Sequence, residues 1–199
     1  TLAVATLLLS GAAAWTADQT ILGRVFIVKD PAPDASPDPT KRVIKVLAKE
    51  VSSPNTIVGN PTVTGATLRI IANGANDYDQ TFSMPAAGWI PLSTGFRYRD
   101  GGTFGAVRSG IIKVSGGKVQ IKATVLGRQG LVLVEAPNPG TDGGGILSIT
   151  GGDAYCMAFG GAAGGVITNF PSGNPFKVFK VKAPTGEGCP SSPSGAFLE

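Results

Sequence analysis

The chain contains no histidine. This removes the imidazole that most often serves as general base or zinc ligand. It also removes any Ser-His-Asp or Cys-His arrangement within these 199 residues. Charge is scarce as well: Asp, Glu, Lys and Arg make up 15% of the chain, against about 25% in an ordinary soluble domain. The 17 Lys and Arg exceed the 13 Asp and Glu. Such a surplus is compatible with an anionic surface or polysaccharide partner, and equally with plain solvation. No apolar run approaches the roughly 20 residues of a membrane helix. No stable membrane span is therefore expected after processing.

Glycine and proline are plentiful, at 29 and 15 residues, and 42% of the chain is hydrophobic. That mixture describes a turn-rich folded protein. The N-terminal "LAVATLLL" (Leu2–Leu9) and the small-residue run Ser10–Ala14 match the apolar core and cleavage region of a secretory signal. A cut after Ala14 is expected, with Ala17 as the alternative. The chain opens on Thr1 without a basic region, so the leader is expected to extend upstream. Secretion or cell-surface display follows. Cys156 and Cys189 suit an oxidising compartment and are expected to bridge, tying the C-terminal tail to a strand.

Almost every segment after Thr20 reads as strand. "GRVFIVKD" (Gly23–Asp30) alternates, and a proline-rich loop follows it. "KRVIKVLAK" (Lys41–Lys49) resumes with polar residues on both faces. Hairpins are predicted from "ATLRIIANG" into "YDQTFSM", about Gly116-Gly117, and about Gly151-Gly152. "LVLVEA" (Leu131–Ala136) reads as a further short strand, bounded by a "PNPGTDGGG" turn. Capped helical periodicity appears nowhere beyond the leader. The fold class is all-β, an antiparallel β-sandwich.

Phrases recur in order along the chain. "FIVKD" (Phe26–Asp30) is echoed by "FRYRD" (Phe96–Asp100) and by "FKVFKV" (Phe176–Val181). "NGANDYDQTF" is echoed by "GGDAYCMAF", and "PAAGWI" by "GAAGGVI". We read two diverged copies of one β module, at 20–95 and 96–182, followed by a tail at 183–199. In "FRYRD", Phe96 and Tyr98 alternate with Arg97 and Arg99, so the rings are expected inward and the cations outward.

The set "KDP…DPTKR", "SPNTIVGNPT", "TGFRYRD", "NPGTDG" and "GGDAY" resembles a group of secreted bacterial proteins of uncharacterised function. The resemblance covers most of the chain after the leader. It implies export and a bacterial setting, and carries no substrate, cofactor or catalytic residue with it.

Candidate chemistry is thin. Asp77 and Asp79 are weak calcium candidates whose turn-capping role uses the same oxygens. Glu135, Asp77, Asp79, Asp100 and Asp153 are the carboxylates available to a hydrolase, with no sequence pattern that pairs two of them. Basic positions Arg97, Arg99, Lys118, Lys122, Lys177, Lys180 and Lys182 are candidates to line one stripe, with protection of sheet edges as the default reading. Trp89, after a Pro-Ala-Ala-Gly turn, is the aromatic to test as a sugar platform, with core anchoring as the other reading. No cofactor, metal or nucleic-acid partner is expected. The expected function is a structural or adhesive one outside the cell, through other copies of itself. A module for extracellular polysaccharide comes second and a carboxylate hydrolase third.

Overall fold

The computed structural model describes residues 18–31, 38–169 and 177–193. The leader at 1–14, the alternative cut at Ala17, the centre of the proline-rich loop and Phe176 lie outside the described residues. The first half supplies β1 (Asp18–Thr20), β2 (Gly23–Asp30), β3 (Val43–Glu50), β4 (Ala66–Gly74), β5 (Tyr78–Met84), β6 (Trp89–Leu92) and β7 (Gly95–Arg99). The second supplies β8 (Val107–Ser115), β9 (Lys118–Leu126), β10 (Gly140–Ile149), β11 (Ala154–Gly160), β12 (Val166–Asn169) and β13 (Lys177–Lys182). The molecule is a sandwich of two largely antiparallel sheets. Among the described residues only the short β1 runs parallel to its neighbour, β11.

One sheet has the order β1-β11-β10-β4-β5, the other β12-β13-β2-β3-β9-β8-β7-β6. Strands from residues 20–95 and 96–182 therefore interleave in both layers. The two segments share one sandwich. Exchanging β2 with β8, β3 with β9, and so on to β7 with β13 reverses the eight-stranded order onto itself. The run β11-β10-β4-β5 reverses likewise. By this exchange β7 answers to β13, while β2 answers to β8.

The register agrees with the exchange. β2 slips against β3 between Gly23 and Val25, and β8 slips against β9 between Val107 and Ser109. Such a bulge inserts one residue and bends the strand. Arg24 and Arg108 are the inserted residues. Superposing the two bulges sets Lys29 on Lys113, Lys45 on Lys122, Arg97 on Lys180 and Arg99 on Lys182. Arg97 then faces Ile111 as Lys180 faces Ile27.

Strand alternation places the core between the layers. Phe26, Val28, Ile44, Val46, Ile112, Ile121, Phe179 and Val181 point in from the eight-stranded sheet, against Leu68, Ile70, Leu147, Met157 and Phe159 from the other. Phe26 stacks on Phe159 at 5.5 Å and meets Phe179 edge-on at 5.9 Å. The predicted alternation of β7 appears as expected: Tyr98 is buried and Phe96 packs against the core.

Three readings of the sequence are corrected. β3 turns Ile44, Val46 and Ala48 inward and sets Lys45 and Lys49 outward between Val43 and Leu47, because Lys41 lies in a 3-10 turn before it and Arg42 caps that turn. "TDGGG" is strand interior: Gly143 lies in β10, where a Cβ would stand 2.4 Å from the Ile71 carbonyl oxygen and 3.0 Å from the Phe26 ring. Rings from the facing sheet use the space that side chains would take. Leu131–Ala136 alternates in burial but joins no ladder. Its backbone is held by side chains instead. Gln80 donates to the Leu131 carbonyl and accepts from the Leu133 N–H, and Arg42 donates to the Val132 carbonyl. A one-turn helix, α1 (Pro61–Thr64), also went unpredicted, although Asn60 caps it by accepting from the Thr62 N–H and proline opens it.

Candidate functional site

Inward-facing residues alternate with outward ones along the central strands of the eight-stranded sheet, β2, β3, β8 and β9, and the outward set is distinctive. One cross-strand row runs Lys180, Ile27, Lys45, Thr124, Ser109, Arg99, each residue the register partner of the next. The next row runs Lys182, Val25, Leu47, Lys122, Ile111, Arg97. Flanking positions add Lys29, Lys49, Lys113 and Lys118. No Asp or Glu occupies an outward position on these strands. Asp30 and Glu50, the acidic residues at the ends of β2 and β3, fall on the inward parity.

Long cationic side chains arrayed this way lay their methylenes over the half-buried Ile27, Leu47 and Ile111 and keep their charges in water. Mutual repulsion is felt where they crowd. The Lys180 ammonium is pushed below the usual lysine range by Lys182 beside it, with burial and Lys29 adding to the effect. Neighbouring strands lie about 4.8 Å apart, so cations two strands apart, as in Lys180/Lys45 and Lys122/Arg97, are spaced by roughly 10 Å.

At one corner the face deepens into an open groove of about 820 Å³, lined among others by Lys41, Lys45, Arg108, Ser109, Thr124 and Arg128, with no carboxylate in its lining. Hollows beside it bring in Arg99 and Gln129, and Arg108 lines all of them. Asp100 borders these hollows, but its oxygens are consumed by the backbone N–H groups of Gly102, Thr103, Phe104 and Gly105, at 2.7 to 3.1 Å. Burial pushes its carboxyl up, and these four bonds overrule burial and hold it below the usual aspartate range. Arg42, in the groove floor, is already neutralised by Asp30 at 3.1 Å and by Glu135.

The opposite face of the sandwich is covered in part by the C-terminal tail. The Cys156–Cys189 disulfide fastens the tail over β11, and Asn73 on β4 donates to the Ser191 carbonyl at 3.1 Å. Thr20 on β1 donates to Glu187 of the same tail.

Other expected residues take structural places. Trp89 is 4% exposed, donates its indole N–H to the Met84 carbonyl and meets Tyr98 edge-on. It anchors the core and offers no platform to a sugar. Asp79 is gripped by Arg69, and Asp77 accepts from the Gly74 N–H. Among the described residues no group of three or more carboxylates, cysteines or histidines converges on a metal position. Asp153 accepts from the Val58 N–H, and Glu135 binds Arg42 and Tyr78, so the candidate hydrolase carboxylates are dispersed as acceptors. Arg97 and Arg99 do lie on the basic face, with Lys118, Lys122, Lys180 and Lys182. Lys177 does not: it pairs with Asp30, on the inward parity. Lys45, Arg108 and Arg128 were missed. The alternation around Lys45 was the available signal, whereas Arg108 and Arg128 sit at a bulge and a 3-10 turn that carry no pattern.

No helix among the described residues is long and apolar enough to cross a membrane. No protein-family model matches the chain, and no curated protein or solved structure is significantly similar to it.

Proposed function

We propose that the chain is an exported, non-catalytic adhesive protein that binds acidic polysaccharide outside the cell through the outer face of its eight-stranded sheet. The observation that carries this reading is the one-sided charge: rows of Lys and Arg without a single acidic residue among the outward positions. Edge lysines alone discourage strand pairing, but Lys45 and Lys122 stand on β3 and β9 at the sheet centre, where no edge needs protecting. A flat, wide cationic surface complements a polyanion and gathers it at long range. The signal-like N-terminus and the resemblance to secreted bacterial proteins support export.

Two diverged copies of one module form the second part of the proposal. The reversible strand order supports it, as do the matching bulges and the coincidence of cation with cation across the exchange.

The test is retention on immobilised polygalacturonate against neutral dextran. Wild-type protein is expected to be held by the acidic polymer only and released as salt shortens the screening length towards about 8 Å and below. Replacing Lys29, Lys45, Lys113 and Lys122 by Gln is expected to weaken retention at least tenfold. A protein that ignores polygalacturonate at low salt sinks the reading.

A further inference from the structure

Resting on that reading, we infer that the groove at Arg99, Arg108 and Arg128 is an anchor subsite that grips a single uronic-acid carboxylate of the polysaccharide, while the lysines of the face attract the polymer without reading it. The paired cations of the face follow the two-fold exchange, so by themselves they hold a chain equally well in either direction. The groove breaks that equivalence. At the exchanged corner the counterpart of Arg99 is Lys182, and the counterpart of Arg108 is Arg24, whose Nε is committed to the Lys49 carbonyl at 2.9 Å. Among the described residues one corner therefore gathers three guanidinium groups, whereas the exchanged corner has Arg24 alone, with its Nε already engaged.

Three observations make that corner suited to a carboxylate. Among the described residues Arg99, Arg108 and Arg128 make no ion pair, and all three side chains are exposed. The nearest carboxylate, Asp100, is turned inward onto backbone N–H groups and does not compete for them. The hydroxyls of Ser109 and Thr124 line the same groove, at hand for the sugar ring that carries the charge. A guanidinium fork binds a planar carboxylate with two parallel bonds, a geometry that an ammonium cannot reproduce. The lysine ladder, in contrast, offers point charges, which respond to charge density and not to its geometry.

Exchanging Arg for Lys separates the two roles, because it keeps the charge and removes the fork. The double variant Arg108→Lys/Arg128→Lys changes exposed side chains and is expected to melt at the wild-type temperature. Its affinity for polygalacturonate is expected to fall about tenfold, with the salt dependence unchanged. Lys29→Gln/Lys122→Gln, outside the groove, is expected to lower affinity for both polygalacturonate and dextran sulfate and to flatten the salt dependence. Dextran sulfate, whose oxyanion is tetrahedral, is expected to bind wild type and the Arg-to-Lys variant alike. If the Arg-to-Lys variant binds polygalacturonate as tightly as wild type, the anchor is overturned and the adhesive reading stands. Equal losses for polygalacturonate and dextran sulfate also overturn it, since the groove would then be sensing charge alone. Failure of wild type to bind either polymer overturns both.

Discussion

Tyr78 on β5 and Tyr155 on β11 reach across the sandwich in the same way, each into the connection that leads to the other's hairpin. The Tyr78 hydroxyl donates to Glu135, between β9 and β10, at 2.9 Å. The Tyr155 hydroxyl donates to the Thr56 carbonyl, between β3 and β4, at 2.9 Å. β5 and β11 exchange under the reversal of strand order, and so do the two connections. Each half thus fastens a long irregular segment of the other, in keeping with strands that interleave in both sheets.

Removing either hydroxyl tests these fastenings. Tyr155→Phe leaves the Thr56 carbonyl without its bond, and Tyr78→Phe removes a bond to a charged acceptor. Each is expected to cost about 1–3 kcal/mol in urea unfolding. The two also report on alkaline pH. Burial first, and then Glu135, pushes the Tyr78 phenol up to about 12. A phenol raised in the folded state contributes stability that is intact below its unfolded value of about 10 and is lost as pH climbs towards 12. Tyr78→Phe is therefore expected to blunt the loss of stability between those limits. An unchanged alkaline limb removes Tyr78 from the account.

Arg42 holds the groove floor by a different device. Its guanidinium meets Asp30 and Glu135 and also donates to the Val132 carbonyl at 2.8 Å, while the residue is only 5% exposed. Arg42→Met strips that guanidinium from a buried carboxylate, a change that costs about 3–5 kcal/mol where measured elsewhere. The expected result is a loss of at least 3 kcal/mol, with amide exchange rising first along Leu131–Ala136. A loss under 1 kcal/mol would show that Gln80 and Tyr78 hold the segment without Arg42.

Acid should act through Asp100. Its carboxyl is held below the ordinary range, so the folded state favours the charged form. The stability this gives is complete above the unfolded value of about 3.9 and falls away as pH drops below it, through the lowered folded value. Asp100→Asn retains one acceptor oxygen for four backbone N–H groups and removes the titration. The variant is expected to be less stable at neutral pH and to show a shallower acid limb in its melting temperature. A wild-type acid limb in this variant contradicts the assignment.

How much of this was legible beforehand depends on the range of the interaction. The β8–β9 hairpin was readable because Gly116-Gly117 and the alternation from Lys118 to Val125 are local. Both glycines have positive φ, 56° and 69°, as a two-residue hairpin turn demands. Gly143 read as turn because glycine's usual local meaning is a turn, and only the facing sheet shows that Phe26 uses its space. Trp89 was ambiguous for the same reason: its exposure is decided by Tyr98, and Gly110, with Met84 beside it, leaves room for the cluster. The cations of β7 were predicted outward correctly. That they join Lys45, Lys122 and Lys180 in continuous rows depends on β3 pairing with β9, a register between distant segments that no local pattern encodes.

The tail offers a separable test. Cys156 and Cys189 close a loop with a sequence separation of 33, and chain-entropy arguments assign such a closure roughly 3–4 kcal/mol. Replacing both cysteines by Ala is expected to cost about that much and to raise amide exchange in residues 183–193 and β1. Binding to polygalacturonate should be untouched, because the tail lies on the opposite face. A double variant that folds but no longer binds would place the polymer on the tail side.

Gly127 ties packing to the groove itself. A Cβ there would stand 1.8 Å from the Pro39 carbonyl oxygen, and the glycine N–H donates to the Arg42 carbonyl at 2.8 Å. The close approach seats the 3-10 turn Pro39–Lys41 against the end of β9, and that turn carries Lys41 into the groove wall. Both contacts are backbone to backbone, so no flexible side chain can yield. Gly127→Ala is expected to push the turn outward, cost about 1–3 kcal/mol and weaken binding to polygalacturonate severalfold by widening the groove. Gly186→Ala is the matched control, because a Cβ there, in the tail away from the groove, comes no nearer than 3.4 Å to any neighbour and should change neither melting nor retention. Equal behaviour of the two variants would mean that the wall of the groove is set by something other than this contact.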